Sequence, residues 1–124
     1  MKSFIFKPSV CKETEGADGV KVQPTYEGQI ELFVPSFDQR FQYIEEAGFE
    51  VKENGEVDAG VKNIKSIRKI VGLSEKHYKS VFLKNIETGE EFKSFSDISF
   101  NPDLANVMIE VAAALLNGLK VSKN

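Results

Sequence analysis

The sequence predicts an α+β fold: an antiparallel sheet of about four strands with three helices packed on one face. Three observations carry this. Ile30, Leu32 and Val34 alternate with Gln29, Glu31 and Phe33, the period of a strand with one buried face. A second β-rich segment, centred on Val81, Phe82 and Leu83, is followed by a turn and a return at Phe92. Capped segments with helical apolar spacing separate and follow these strands, and the most apolar of them closes the sequence. At 124 residues and 41% hydrophobic content, residues 1–124 form one domain with one core.

Phe4, Ile5 and Phe6 stand just before Pro8 and make a short strand over 3–7 whose pairing ends at the proline. Residues 12–19 hold Glu13, Thr14, Glu15, Gly16, Ala17, Asp18 and Gly19, with no side chain that needs burial, and read as an exposed loop. The next strand spans 28–34 and stops at Pro35. Ser36 and Gln39 have the spacing of a capping box, in which each side chain satisfies a free amide at a helix start. A helix over 37–47 follows, with Phe37, Phe41 and Ile44 on its apolar face, Gly48 in the left-handed position after its last turn, and Phe49 folding back onto it.

Phe49, Val51 and Val57 flank Asn54-Gly55, a pair suited to a tight hairpin turn. Asp58 then caps a second helix with an apolar stripe of Val61, Ile64, Ile67 and Val71, an ending at Gly72 and Leu73, and Lys62, Lys65 and Lys69 on its outer face. A strand over 76–84, a turn at 87–90 and the return at Phe92 complete the sheet. Ser96, Asp97, Ile98 and Phe100 lead to a terminal apolar helix over 102–117, with Asn101 as its cap and Pro102 at its first position.

That last helix is apolar around most of its circumference. At 100° per residue, Leu104, Met108, Val111 and Leu115 form one stripe, which faces the sheet. Ala105, Ile109, Ala112 and Leu116 form a flank beside it. The flank is covered either by this protein's own helices or by a second subunit or partner, since its small residues allow another helix to approach closely.

Charge and composition narrow the classes of function. The net charge of −3 argues against a general nucleic-acid binder, which carries a clustered positive excess. Glu45, Glu46, Glu50, Glu53, Glu56 and Asp58 form an acidic stretch, and Lys62, Lys65, Arg68 and Lys69 follow it; such blocks pair with each other or with a partner. The longest apolar run, Val111 to Leu116, is far short of the roughly 20 residues that span a bilayer, so no membrane helix is expected. A lone cysteine and a start without a long apolar core point to a reducing, cytoplasmic setting.

Chemistry is poorly supported. Cys11 sits among Glu13 and Glu15, which disfavour a thiolate. His77 is the single histidine, has Lys76 and Lys79 beside it, and meets no second His or Cys at metal-ligand spacing. The acid pairs Glu45–Glu46 and Glu90–Glu91 are sequence neighbours and point apart, whereas acid/base catalysis needs two carboxylates converging on one bond. The glycines form neither common phosphate cradle. The expectation is a non-enzymatic protein without cofactor or metal, with partner contacts at Ala105, Ile109, Ala112 and Leu116 and at Lys62, Lys65 and Lys69.

The order of segments resembles that of phage tail assembly chaperones, small acidic proteins with an N-terminal sheet region, central helices and an apolar terminal helix before a lysine-containing tail. The matching pieces are Val34 to Arg40, Val81 to Gly89, Ser94 to Ile98, and Asn101 to Asn124 with Gly118 and Lys123. The resemblance rests on pattern and supplies no catalytic residues to carry over. It implies a protein of the infected bacterial cytoplasm that binds the tape-measure or tail-tube protein during assembly, with self-association as a further expectation. A permanent structural subunit of a phage virion or tail is the alternative.

Overall fold

The computed structural model describes residues 2–48, 50–51, 57–58, 64–116 and 121–122. Its main sheet has the strand order β1-β4-β7-β8, all neighbours antiparallel. β1 is Ser3–Phe6, β4 is Tyr26–Phe33, β7 is Tyr78–Asn85 and β8 is Glu91–Phe92. Two short ribbons accompany it. β2 (Thr14–Glu15) pairs with β3 (Lys21–Val22), so the expected open loop over 12–19 contains one arm of a small hairpin. β5 (Glu50–Val51) pairs with β6 (Val57–Asp58), as the Asn-Gly pattern predicts, and β6 also pairs in parallel with β9 (Val121–Ser122).

The helices are α1 (Phe37–Ala47), α2 (Ile64–Ser74), α3 (Phe95–Ser99) and α4 (Ala105–Leu115). α1 has the predicted bounds for the predicted reason: Ser36 Oγ accepts from the Gln39 amide, and the Gln39 side chain accepts from the Ser36 amide. Gly48 takes φ +77° and returns its amide to the Ile44 and Glu45 carbonyls. The expected fold-back of Phe49 lies outside the described residues. The terminal helix opens as a 3-10 turn, Pro102–Leu104, where Asn101 Oδ1 accepts from the Asp103 amide, and continues as α4.

Two cores share α4. In the first, Tyr26, Ile30, Leu32, Val81, Leu83 and Phe92 of the sheet meet Ile98 of α3 and Leu104, Val107, Val111 and Leu115 from the terminal segment. The expected stripe is therefore core, with Val107 added and Met108 packed at its margin. In the second, Tyr43, Ile44 and Ala47 of α1 and Ile70 of α2 close on Ala112 and Leu116. The helices thus form two layers, with α4 against the sheet and α1 and α2 on an adjoining face of α4. Arg40 Nε donates to the Leu115 carbonyl at 3.2 Å, satisfying a free acceptor in the last turn of α4.

Two expected helix faces are corrected. Phe37 is 64% exposed; α1 buries Tyr43, Ile44 and Ala47, and the Phe37 and Phe41 rings stack edge to face at 4.8 Å outside that core. In α2 the buried side is Ser66, Ile70 and Ser74, Ile64 is 77% exposed, and Gly72 lies inside the helix instead of ending it. Serines are small enough to let α2 approach its neighbours, and Ser74 Oγ returns its hydrogen bond to the Val71 carbonyl. Val61 and Lys62 lie outside the described residues.

Gly28 locks the central pair of strands. It sits opposite Leu83 at φ +123°, and a Cβ built there would stand 1.9 Å from the Phe82 carbonyl oxygen. Gly28→Ala is expected to destabilise the protein by about 3–5 kcal/mol, read as a lowered denaturant midpoint, because backbone strain and a backbone clash add. Leu116→Asp, which places a charge in the second core, is expected to unfold the protein by circular dichroism.

Candidate functional site

The expected contact flank of α4 divides at its middle. Ala112 and Leu116, each 3% exposed, belong to the second core and are covered by α1 and α2, so they offer no free surface. Ile109 and Ala105 lie on the same stripe about one and two turns before Ala112, and both are exposed. Ala113 and Asn106 adjoin them and are exposed as well. Phe100, in the turn between α3 and the terminal segment, is 86% exposed, the most exposed large apolar residue among those described. The polar margin of α4 is tied down: Glu110 accepts from the Ser9 amide at 2.8 Å and from Ser9 Oγ at 2.5 Å, fixing the N-terminal connection to the helix.

The second candidate surface is the outward face of α2. Lys65, Arg68 and Lys69 are exposed there, and with Gly72 and Leu73 they line an open depression of about 440 Å³. Among the described residues none of these three cations forms an ion pair; the pairs present are Lys21–Glu13, Lys79–Glu31 and Lys93–Glu91. Lys62, expected on the same face, lies outside the described residues. Gly72 has no conformational reason to be glycine. Its φ is not positive, and a Cβ at this position would meet none of the described residues within 4 Å.

Alongside it, the outward face of α1 carries exposed Asp38, Gln42, Glu45 and Glu46 beside the Phe37–Phe41 pair. Sequence reasoning missed this face because it assigned both phenylalanines to the core. The available signal was Tyr43, which competes with Phe41 for the buried side and wins because its hydroxyl has a partner inside.

That partner is His77. Its ring is buried between Tyr43 Oη, 2.6 Å from Nε2, and the Phe33 carbonyl, 2.9 Å from Nδ1. A carbonyl can only accept, so Nδ1 carries the proton and Nε2 accepts from Tyr43 in the neutral ring. Burial pushes the pKa of His77 down, the Phe33 hydrogen bond opposes this, and the Lys76 charge adds to the lowering. The histidine joins β4, α1 and the turn before β7, and it is a structural bolt. Cys11 is also core, and burial raises its thiol pKa, which leaves it a poor nucleophile. The Tyr78 hydroxyl is buried without a hydrogen-bond partner, and desolvation raises its pKa.

Among the described residues no group of three or more His, Cys, Asp or Glu side chains could hold a metal ion, and no helix is long and apolar enough to cross a membrane. No protein-family model, curated protein or solved structure matches the chain. What fold and surface define is an α+β protein whose exposed apolar and charged features lie on helix faces and on the outer face of the sheet.

Two measurements check these assignments. A depressed folded-state pKa means that the unfolded chain binds the His77 proton first as pH falls. The contribution of His77 to stability is therefore complete above pH about 6.5, and it declines below that until the folded-state pKa is passed, with a slope of at most about 1.4 kcal/mol per pH unit. Urea denaturation between pH 7.5 and 5.5 is expected to show this decline, and His77→Gln to flatten it. Gly72→Ala is expected to raise the stability of the free protein by about 0.5–1 kcal/mol, since alanine favours a helix interior and has open space here.

Proposed function

We propose that the protein is a non-enzymatic binding protein of the phage tail assembly chaperone type, which holds a tape-measure or tail-tube protein during assembly. The observation that carries this reading is the open N-terminal half of the α4 flank. There Ala105 and the 43% exposed Ile109 extend a stripe whose other half is core, close in sequence to exposed Phe100. An apolar strip that continues a core outward invites a client to extend the same packing, and a client helix with small residues can lie on Ala105 and Ala113. The class of the reading rests on the segment order described above.

A permanent subunit of a tail or virion is the second reading, and one feature favours it. The outer sheet face bears exposed Ile5 and Phe82, and Phe82 borders an open depression of about 600 Å³ that Ile86, Gly28 and Cys11 also help to line. A finished assembly would keep such a face covered.

The test is co-expression with the neighbouring tail genes. The wild-type protein is expected to co-purify with a tape-measure or tail-tube protein and to be missing from purified particles. Ile109→Asp is expected to weaken that complex at least about tenfold, equivalent to roughly 1.4 kcal/mol, while circular dichroism and melting temperature stay near those of the parent. Unchanged binding by a folded Ile109→Asp variant would remove α4 from the interface, and recovery of the protein from finished particles would favour the subunit reading.

A further inference from the structure

We propose that two copies of this chain pair through the outward faces of α1 and α2, with the acidic α1 of each copy seated on the basic α2 of the other. The starting point is a charge pattern that the isolated chain leaves unused. α1 presents Asp38, Glu45 and Glu46 on the side away from its core, and α2 presents Lys65, Arg68 and Lys69 on its own outward side. α1 and α2 are packed neighbours, yet among the described residues no ion pair joins them.

The levels of these charges match. α1 and α2 run antiparallel: Gly48, at the end of α1, lies beside Ser66 near the start of α2, and Tyr43, earlier in α1, lies beside His77 beyond its end. Each residue in a helix advances 1.5 Å, so counting back along α1 and forward along α2 from Gly48 and Ser66 gives the residues at equal height. Within the two helices, Glu46 falls level with Arg68, Glu45 with Lys69, and Gln42 with Gly72. A two-fold axis parallel to the helices, lying outside their outward faces and over the gap between α1 and α2, keeps every level. It lays the second copy's α1 across this α2, and the second copy's α2 across this α1. Glu45 and Glu46 of each copy then stand over Lys69 and Arg68 of the other, which is the self-complementarity that a two-fold interface requires.

Gly72 is the second observation. It lies in a helix, where glycine is disfavoured, and the described residues provide no clash or backbone angle that calls for it. It lines the depression between the cations, level with Gln42 of the opposing helix. A missing side chain there lets a second helix come close enough for acids and cations to meet. A nucleic acid fits this surface less well, since none of the described residues lining the depression has an aromatic ring to stack on bases, and the neighbouring α1 carries exposed acids.

Two 11-residue helices offer a patch about 16 Å long and roughly 20 Å across, smaller than that of a stable standard dimer. The pairing is therefore concentration-dependent and weakened by salt. It is independent of client binding through Ile109, since the purified protein alone must show it.

Sedimentation of the purified chain from about 10 µM to 1 mM in low salt, near 50 mM, is expected to show mass rising from 13.9 kDa toward twice that value, and falling back near 0.5 M salt. Arg68→Glu with Lys69→Glu makes both faces acidic, and Glu45→Lys with Glu46→Lys makes both basic. Each double variant is expected to self-associate at least about tenfold more weakly while keeping its circular dichroism spectrum, and an equimolar mixture of the two is expected to recover association to within about threefold of the parent. Gly72→Ala is expected to weaken the dimer while raising the melting temperature. A parent that stays monomeric over the whole range in low salt, or folded variants whose mixture is no heavier than either alone, would overturn the proposal.

Discussion

Both cores of the protein are built on α4. One side of this helix sends Leu104, Val107, Val111 and Leu115 into the sheet, and the adjoining side gives Ala112 and Leu116 to α1 and α2. Burying a leucine or valine fully is worth about 1.5–3 kcal/mol, so the helix ties together terms comparable with the whole net stability of a small domain. The other features depend on that arrangement. Arg40 reaches the Leu115 carbonyl because α1 lies beside the last turn of α4, and His77 can bridge Phe33 and Tyr43 because the second core holds α1 next to the end of β4.

The same geometry explains why the helix is apolar around so much of its surface. Most of that surface is buried inside one chain, and of the flank only Ala105 and Ile109 stay open. A helix of 11 residues crossed by another of equal length is covered over part of its length only, so exposure along one stripe changes from turn to turn. Periodicity reports which residues share a stripe and says nothing about where along it a crossing helix ends.

Much of the fold was legible in local chemistry. Ser36, Gln39 and Gly48 mark the limits of α1 through hydrogen bonds made within a few residues, and the alternation at Ile30 and Leu32 marks β4 because one sheet face is buried. The orientation of α2 was not legible. Its apolar residues spread around the helix, and the choice between Ile64 and Ile70 was decided by two serines that permit close packing, a tertiary effect with no hydrophobic signal. Phe37 and Phe41 misled for the converse reason: each is large and apolar, yet Tyr43 fills the site where its hydroxyl meets His77. Of the expected contact residues, Ala105, Ile109, Lys65 and Lys69 are on open surface, whereas Ala112 and Leu116 are core. The acidic face of α1 was hidden by the same misplacement of the two phenylalanines.

If α4 unites the two cores, they open as one unit. Native-state hydrogen exchange tests this most directly, because it reports the free energy of opening amide by amide. The slowest amides of β4 around Ile30 and Leu32, of α4 around Val111 and Leu115, and of α2 around Ile70 are all expected to exchange with the same free energy, equal to that of global unfolding. Exchange of the α2 amides at a distinctly lower free energy, with β4 and α4 still protected, would contradict it and show that the second core opens on its own.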